Sequence, residues 1–559
     1  MFRRNLELAH ALDRLGLYLE IDGADKFRCR AYHRAARSVG AATYDVVERV
    51  LDLGDPGSLP GVGPRIGALI REFAAAGRLS RLDELEARYP EGLLELRRVP
   101  RLNPRRIRLL HERLGVRNLD DLRRAASEGR LAGLRGLGSR VEHEVLHGLG
   151  QHGAEIPFRR ADLLRGLPGL LDHVRSWPGV RAVDVAGALR RRRDLVDSVD
   201  LVLTFEAGTP LPDELPALAG GAALLERDDG HVALRLTTGL RVNLLAADER
   251  TRGSALVLFT GSAAHLEELR RRRPELPERA ATEAEFYGSL GLPFIEPELR
   301  ESRGELDAAA EGRLPTLIRL EDLQGDLHSH TEATDGTEPL ERMAEAAAER
   351  GLRYLAITDH TKSLKITNGQ DERRLREQMD AIDRLNGKRL GITLLKGAEV
   401  DILEDGSLDL DDAVLRDLDL TVCSVHSKFT LDPRRQTERV LRAMEHPSFR
   451  ILGHPTGRLL LRRVGHPLDV ERLIHAAKQL GRILELNSQP DRLDLDDVAC
   501  RRAKDAGVLV SISSDAHGIP ELDYLRWGVD QARRGWLEPR DVVNSRPLPE
   551  LLRLLGKKG

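Results

Sequence analysis

The sequence predicts a multidomain α+β chain that ends in a parallel barrel of alternating strands and helices. Three observations carry this. The 559 residues are too many for one hydrophobic core and suit roughly 3–5 domains. Residues 1–150 carry apolar positions at helical spacing, interrupted by Gly/Pro turns. From Gly325 onward short apolar strands alternate with amphipathic helices, which indicates a parallel sheet, and so many units indicate a barrel.

The elements follow in order. Leu6–Leu19 and Arg28–Val47 read as helices, followed by turns at Leu59–Gly63, Val99–Asn103 and Leu134–Gly138. Strands are expected at Val183–Ala186, Asp200–Phe205, Val232–Leu236 and Val242–Ala247, then helix with short strand-like pieces over 254–300. After a Glu/Gly-rich connector, Arg300–Leu320, strands are expected at Tyr354–Thr358, Thr393–Lys396, Leu420–Ser424, Arg450–Leu452, Ile483–Leu486 and Val508–Ser511.

Composition narrows the class. With 41% hydrophobic and 32% charged residues, the chain reads as globular and soluble. No apolar run is long enough to span a bilayer, and the N-terminal segment is broken by Glu7, His10, Asp13 and Arg14, unlike a signal peptide. Cys29, Cys423 and Cys500 are odd in number and far apart, so a reducing cytoplasm is the expected compartment. The net charge of −3 does not call for nucleic acid. The arginine clusters do: Arg97–Arg108, Arg190–Arg193 and Arg270–Arg273 are candidate phosphate contacts, with solvated helix faces as the plainer reading.

The C-terminal third carries the strongest chemical signal. In Asp326-Leu327-His328-Ser329-His330 a strand would place His328 and His330 on one face. Asp335 follows in a turn. His360, Glu399, His426, His454, Asp515 and His517 each follow an apolar strand. Strand ends of a parallel barrel converge on one face, where so many imidazoles and carboxylates need ions to pair them. Nine donors exceed one tetrahedral site, and the mixed set suits Zn²⁺, Mn²⁺ or Fe²⁺ better than Ca²⁺. His446, His466 and His475 lack this context and read as surface or helix histidines.

These motifs resemble the PHP (polymerase and histidinol phosphatase) domain over residues 324–559. The resemblance implies a distorted (β/α)7 barrel with three divalent metals. It places His328, His330, Glu399 and Asp515 on one ion, Glu399, His426 and His454 on a second, and Asp335, His360 and His517 on a third. Clustered ions suit phosphodiester hydrolysis, because one acidifies water and others offset charge on the phosphate and leaving oxygen. Lys362, Lys365, Lys428 and Arg458 lie beside ligand positions and are candidates to hold substrate phosphates.

In the N-terminal half, Leu59-Pro60-Gly61-Val62-Gly63-Pro64-Arg65 looks like a helix-hairpin-helix, whose backbone N–H groups can bind a DNA phosphate without reading sequence. Gly61, Gly63 and Arg65 are its candidate contacts. Leu134–Gly138, with Gly136 and Gly138, is a looser copy, and Val99–Arg106 has Arg101 and Asn103 where glycines would be expected. With Phe27–Arg37, Phe259-Thr260-Gly261-Ser262 and Leu290–Phe294, the chain resembles bacterial family X DNA polymerases. The resemblance implies a polymerase-β-like core ahead of the PHP domain: a helical DNA-binding domain over 1–80, fingers over 81–152, a nucleotidyltransferase palm over 153–250 and a thumb over 251–310, with the PHP domain over 322–559. It adds Gly187, Arg190, Gly261 and Ser262 to the DNA or phosphate contacts.

The palm departs from that family. Ser198 stands where the first metal-binding aspartate belongs, Asp200 keeps the second, and Asn243 replaces the third. Ala188 removes a hydroxyl expected at the triphosphate. One carboxylate holds two divalent ions poorly, unless Asp197 re-registers beside Asp200. The Schiff-base lysine of the family's lyase chemistry is Leu69 here, and Arg65 stays protonated.

The function this implies is a cytoplasmic, monomeric DNA-repair protein that binds gapped, nicked or 3′-ended DNA and makes no use of a membrane. Its PHP domain is expected to hold three Mn, Zn or Fe ions and act as a 3′-5′ exonuclease or phosphoesterase, beside an impaired polymerase site. Alternatives are an active gap-filling polymerase using Mg or Mn and dNTPs, a DNA-binding scaffold with a structural PHP domain, and a small-molecule phosphatase.

Overall fold

The computed structural model describes residues 3–40, 42, 44–57, 59, 61–99, 102–134, 137–138, 142, 145, 157–206, 209, 211, 222–228, 230–236, 239–388 and 390–557. It divides into two units. The first comprises residues 1–190, 195–261 and 272–290, the second 191–194, 262–271 and 291–559. Among the described residues no helix is long and apolar enough to cross a membrane.

The first unit begins with helices Arg3–Asp22 and Lys26–Gly40, which pack on one another. Leu8, Leu12, Leu15 and Leu19 recur at helical spacing and are all buried. The helix expected over Arg28–Val47 is two helices. The first stops at Gly40, and the Asp45 carboxylate accepts from Glu48 N at 2.9 Å to start another over Val46–Leu53. His33 bridges Asp13 at 2.6 Å and Glu20 at 3.5 Å, and these partners push its imidazole up to about 9. Helix Pro64–Ala76 starts after Gly63 with proline in its first turn, where a missing N–H does no harm.

The strands run β1 (Phe158–Arg159), β2 (Ala182–Val185), β3 (Leu195–Val196), β4 (Ser198–Thr204), β5 (Ala222–Asp228), β6 (His231–Leu236) and β7 (Arg241–Ala247). β1 pairs with β3, and the other five form one mixed sheet in the order β2-β4-β7-β6-β5. β4 and β7 are parallel neighbours, and their register sets Asp200 beside Asn243. Periodicity missed the two-residue strands β1 and β3 and the longer β5. In β5, Leu224 and Leu225 are adjacent and both exposed, so the alternation of a half-buried strand is absent.

The second unit contains β8 (Gly325–Asp326), β9 (Tyr354–Ile357), β10 (Thr393–Lys396), β11 (Glu399–Asp401), β12 (Val422–Ser424), β13 (Ile451–Leu452), β14 (Ile483–Asn487) and β15 (Val510–Ser513). They form two all-parallel sheets, ordered β10-β9-β8 and β11-β12-β13-β14-β15. Isolated parallel bridges join His360 to Glu399 and Ser329 to Ala516. Buried residues such as Leu355, Ile357, Leu394, Val400, Leu452 and Leu484 fill the space between sheet and helices, as expected for parallel strands covered by their crossovers. His328 and His330 lie just beyond β8, outside regular strand.

A buried ionic network ties the pieces of this unit together. Glu301 receives Arg191 at 3.0 Å and Arg534 at 2.9 Å, while Arg534 also reaches Asp497 at 2.7 Å and the Arg191 carbonyl at 2.7 Å. Glu298 likewise receives Arg192 at 3.0 Å and Arg533 at 2.7 Å. Burial alone would raise the Glu301 carboxyl, but Arg534 and Arg191 hold it below its ordinary value. Arg191 and Arg192, read from the sequence as part of a phosphate-contact run, are therefore committed to internal carboxylates.

Candidate metal centre and palm site

All nine expected donors converge. Glu399 is at the middle: its carboxylate lies 2.8 Å from His360 Nδ1, 2.8 Å from His454 Nε2, 3.2 Å from His426 Nε2 and 3.5 Å from His328 Nε2. Asp515 Oδ1 lies 3.1 Å from His330 Nε2 and 3.5 Å from His328 Nε2. Asp335 Oδ2 lies 3.4 Å from both His360 Nε2 and His517 Nε2. Donor atoms compact enough for one ion form three sets: His330, Asp335, His360 and His517; His328, His330 and Asp515; His360, Glu399 and His426. His330 and His360 thus each reach two sets, where the resemblance gave each one ion.

The donor chemistry fits divalent ions. His328 Nε2, His330 Nδ1 and His360 Nδ1 are buried and make no hydrogen bond, which is costly unless something else takes their lone pairs. Burial disfavours charge on every member, yet the close acids prevail at His360, pushed up to about 10, and at His426 and His517, both up to about 9. His330 falls to about 3, because burial and the neighbouring His517 and His360 oppose another charge. Despite burial, the surrounding imidazoles hold Glu399 and Asp515 well below the carboxylate range. The carboxylates thus favour positive charge beside them, while His330 takes none. His517 and Asp335 keep 30% of their side chains exposed, so the centre opens on their side.

The sequence missed the groups that aim the ligands. His328 Nδ1 bonds Glu485 at 2.7 Å, and Glu485 also accepts from the His454 backbone N–H at 2.5 Å. His426 Nδ1 bonds Asp401 at 3.2 Å. Such partners fix the ring orientation and raise ligand basicity. Both acids were within reach of period-2 reasoning, since Asp401 is two residues past Glu399 on β11 and Glu485 lies on β14. His454 and Asp515 have left-handed backbones, φ 25° and 53°, a strain that persists where surroundings over-determine it. Asp494 supplies part of that hold by accepting from Thr456 N at 3.0 Å and Gly457 N at 2.7 Å.

The palm is arranged differently. Asp200 is buried, and its Oδ1 accepts from the Ser198 hydroxyl at 2.9 Å and the Asn243 amide at 2.5 Å. Asn243 is itself held by Arg241 Nε at 2.9 Å. The other oxygen presses on Gly187, φ 62°, where a Cβ would stand 1.7 Å from Asp200 Oδ2. Asp197 is exposed, one position out of step with Ser198 and Asp200 along the strand. Among the described residues no group of three metal-binding side chains forms here. Arg190 donates to Glu283 at 2.8 Å and Thr260 at 3.1 Å. Gly261 closes helix Arg252–Thr260, and the Ser262 hydroxyl accepts from His265 N at 3.1 Å.

At the first hairpin, Gly61 (φ 81°), Gly63 and Arg65 are exposed, and with Arg28, Tyr32 and Ile66 they line a cavity of about 490 Å³. In the Val99–Arg106 segment Asn103 caps helix Pro104–Leu114 by accepting from Arg106 N at 3.0 Å. Gly138 is exposed with φ 65°, whereas Gly136 lies outside the described residues.

A helix-hairpin-helix domain family matches residues 3–79, and the PHP domain family matches 326–489. The DNA polymerase/3′-5′ exonuclease PolX of Bacillus subtilis is 33% identical over 564 residues, covering 98% of either chain. The chain belongs to the bacterial family X DNA polymerases that carry a PHP domain. A probable phosphatase of Caldanaerobacter subterraneus is 30% identical over 203 residues, 34% of this chain and 75% of its own, and one of Syntrophotalea carbinolica 28% over 244 residues, 41% and 95%. The PHP match stops before Asp515 and His517, which the fold of this family X member nevertheless brings to the same cluster.

The cations expected to hold phosphates in this family X protein are placed as follows. Lys362 pairs with Glu372 and Lys428 with Glu404 at 3.3 Å, both exposed, and Lys365 is exposed. Arg458 turns inward, donating to the Arg492 carbonyl at 2.8 Å and pairing with Asp194 at 3.0 Å. His466, expected at the surface, is buried and stacked on Phe429 with centroids 4.8 Å apart, because an apolar ring face is better covered than solvated.

Proposed function

We propose that this protein is a DNA-repair enzyme whose C-terminal domain is a metal-dependent 3′-5′ exonuclease or 3′-end phosphoesterase, and whose polymerase core binds gapped or nicked DNA with little nucleotide incorporation. The observation that carries the first part is the convergence of nine donors, six imidazoles and three carboxylates, around Glu399 on an open-sided centre. The two parallel sheets and the bridges between them support reading this domain as a distorted (β/α)7 barrel. Ions there would supply Lewis acidity toward water and phosphate. The chain's own part is to orient the rings through Glu485 and Asp401 and to keep the Glu399 and Asp515 carboxylates ionised. The expected complement is three ions among Mn, Zn and Fe.

The second part rests on Asp200. Its carboxylate is satisfied by a hydroxyl and an amide where nucleotidyl transfer needs neighbouring carboxylates to hold two ions. The hairpin glycines and the cavity beside them support backbone capture of DNA phosphates. The domain limits 1–80, 81–152, 153–250, 251–310 and 322–559 belong to the same proposal. A phosphatase has its own support in the probable phosphatases similar to the C-terminal part, but a relative that covers 98% of the chain is a polymerase/exonuclease.

The test is a Mn²⁺ assay on a 5′-labelled gapped duplex, with and without dNTPs, beside His328→Ala/His330→Ala. Shortening that disappears in the variant supports the proposal. Extension in both proteins without shortening overturns it, and release of phosphate from small phosphomonoesters alone favours the phosphatase.

A further inference from the structure

The side chains expected to grip substrate phosphate are engaged elsewhere: Arg458 is spent on Asp194 and on main-chain carbonyls, and Lys362 and Lys428 pair with surface glutamates. A different guanidinium occupies the place they were expected to fill. Arg492 Nη1 lies 3.4 Å from Oδ2 of the metal-ligand candidate Asp515, and its side chain retains 24% exposure. Its Nε is buried without a hydrogen-bond partner. An arginine fork next to a metal cluster, with one edge turned to a carboxylate and donors to spare, matches the geometry of a phosphate oxygen pair. Lysine could not offer the same planar fork.

The loop that presents it is fixed. Arg458 Nε donates to the Arg492 carbonyl at 2.8 Å and to the Leu493 carbonyl at 3.2 Å, with Asp194 neutralising the buried Arg458 at 3.0 Å. Leu493 itself has φ 44°, and Asp494 is locked into Thr456 and Gly457. Such support from packed neighbours is what a positioned binding group requires.

We infer that Arg492 clamps the substrate phosphate at the metal centre and that the Arg458–Asp194 pair holds it in position. Arg492 is then a substrate-contacting residue and Asp194 a positioning residue. The inference rests on the phosphodiesterase reading above, and its test keeps the two apart.

The full-length protein is compared with Arg492→Gln, Arg492→Lys and Asp194→Asn. Bound metal is counted by elemental analysis, inorganic phosphate binding to the Mn²⁺-loaded protein is measured by calorimetry, and 3′-end hydrolysis is followed kinetically. Arg492→Gln is expected to keep its metal and lose about 10- to 100-fold in phosphate affinity, the scale of a lost charge-assisted hydrogen bond, with KM raised. Arg492→Lys should recover part of that loss, and Asp194→Asn should lose less than Arg492→Gln while keeping its metal. Unchanged phosphate affinity in Arg492→Gln overturns the clamp. So does metal loss in step with activity, because Arg492 would then merely steady Asp515. Phosphate binding that needs Arg492 in a protein that cleaves no DNA would keep the clamp and overturn the nuclease.

Discussion

Restoring the palm carboxylates with Ser198→Asp and Asn243→Asp is the sharpest test of how the core works. In the present protein Asp200 Oδ1 takes hydrogen bonds at 2.9 Å and 2.5 Å from these two side chains. The double variant removes both bonds, each worth about 1.5–3 kcal/mol to a charged acceptor. It also sets like charges roughly 3 Å apart, a repulsion on the order of 5 kcal/mol per pair at an effective dielectric near 20, before protonation relieves it. A net loss of about 3–6 kcal/mol without divalent ions is expected, which corresponds to roughly 10 °C in melting temperature for a unit of this size. Mg²⁺ or Mn²⁺ should reverse most of it, and primer extension should appear. The assay is thermal melting in chelator and in Mg²⁺, with the parent as control for ions taken up by the C-terminal cluster, followed by single-nucleotide incorporation on a gapped duplex. A variant that melts like its parent in chelator, or a parent that already extends primers as fast, would refute the reasoning.

Glu485→Gln should weaken metal retention about 10- to 100-fold, because His328 loses its 2.7 Å carboxylate partner; dialysis against a graded chelator followed by metal analysis measures this. His33 is raised to about 9 by Asp13 and Glu20, so its contribution is fully present below pH 6.5 and fades as pH rises through about 9. Denaturation of His33→Gln should show a deficit of up to about 3 kcal/mol near pH 6 and none near pH 10; a deficit independent of pH would mean packing, not charge. Gly61→Ala puts a Cβ 2.6 Å from Arg34 Cδ at a positive φ. It should destabilise the hairpin by about 1 kcal/mol and weaken DNA binding in a filter or anisotropy assay, leaving hydrolysis of a short single-stranded substrate unaltered.

Parts of this architecture could be read in advance because burial on both faces leaves a plain trace. Thr393–Lys396 was delimited correctly, and the palm strands around Asp200 and Asn243 were within two residues, since contiguous apolar runs bounded by polar turns have few alternatives. The nine donors were legible because each closes such a run or its turn. What escaped was set by partners distant in sequence. Arg191 and Arg192 looked like a phosphate-binding run until Glu301 and Glu298 appeared beside them. Arg492 gave no local signal, as its meaning depends on Asp515 folding next to it. The break at Gly40 was visible only through the Asp45 cap.

The way the second unit is assembled bears on anyone who would cut this protein. A fragment starting at residue 322, the natural place for scissors by sequence, discards Glu298, Glu301 and the 191–194 segment. Arg533 would lose Glu298 and Arg534, only 4% exposed, would lose Glu301 while keeping Asp497, and removing one partner of a buried pair costs about 3–5 kcal/mol. Arg458 would be stripped of Asp194 at the same stroke. A severed C-terminal half that proves feeble would therefore report on the incision rather than on its chemistry, and the intact chain carrying point substitutions is the form in which the proposed hydrolysis is to be tested.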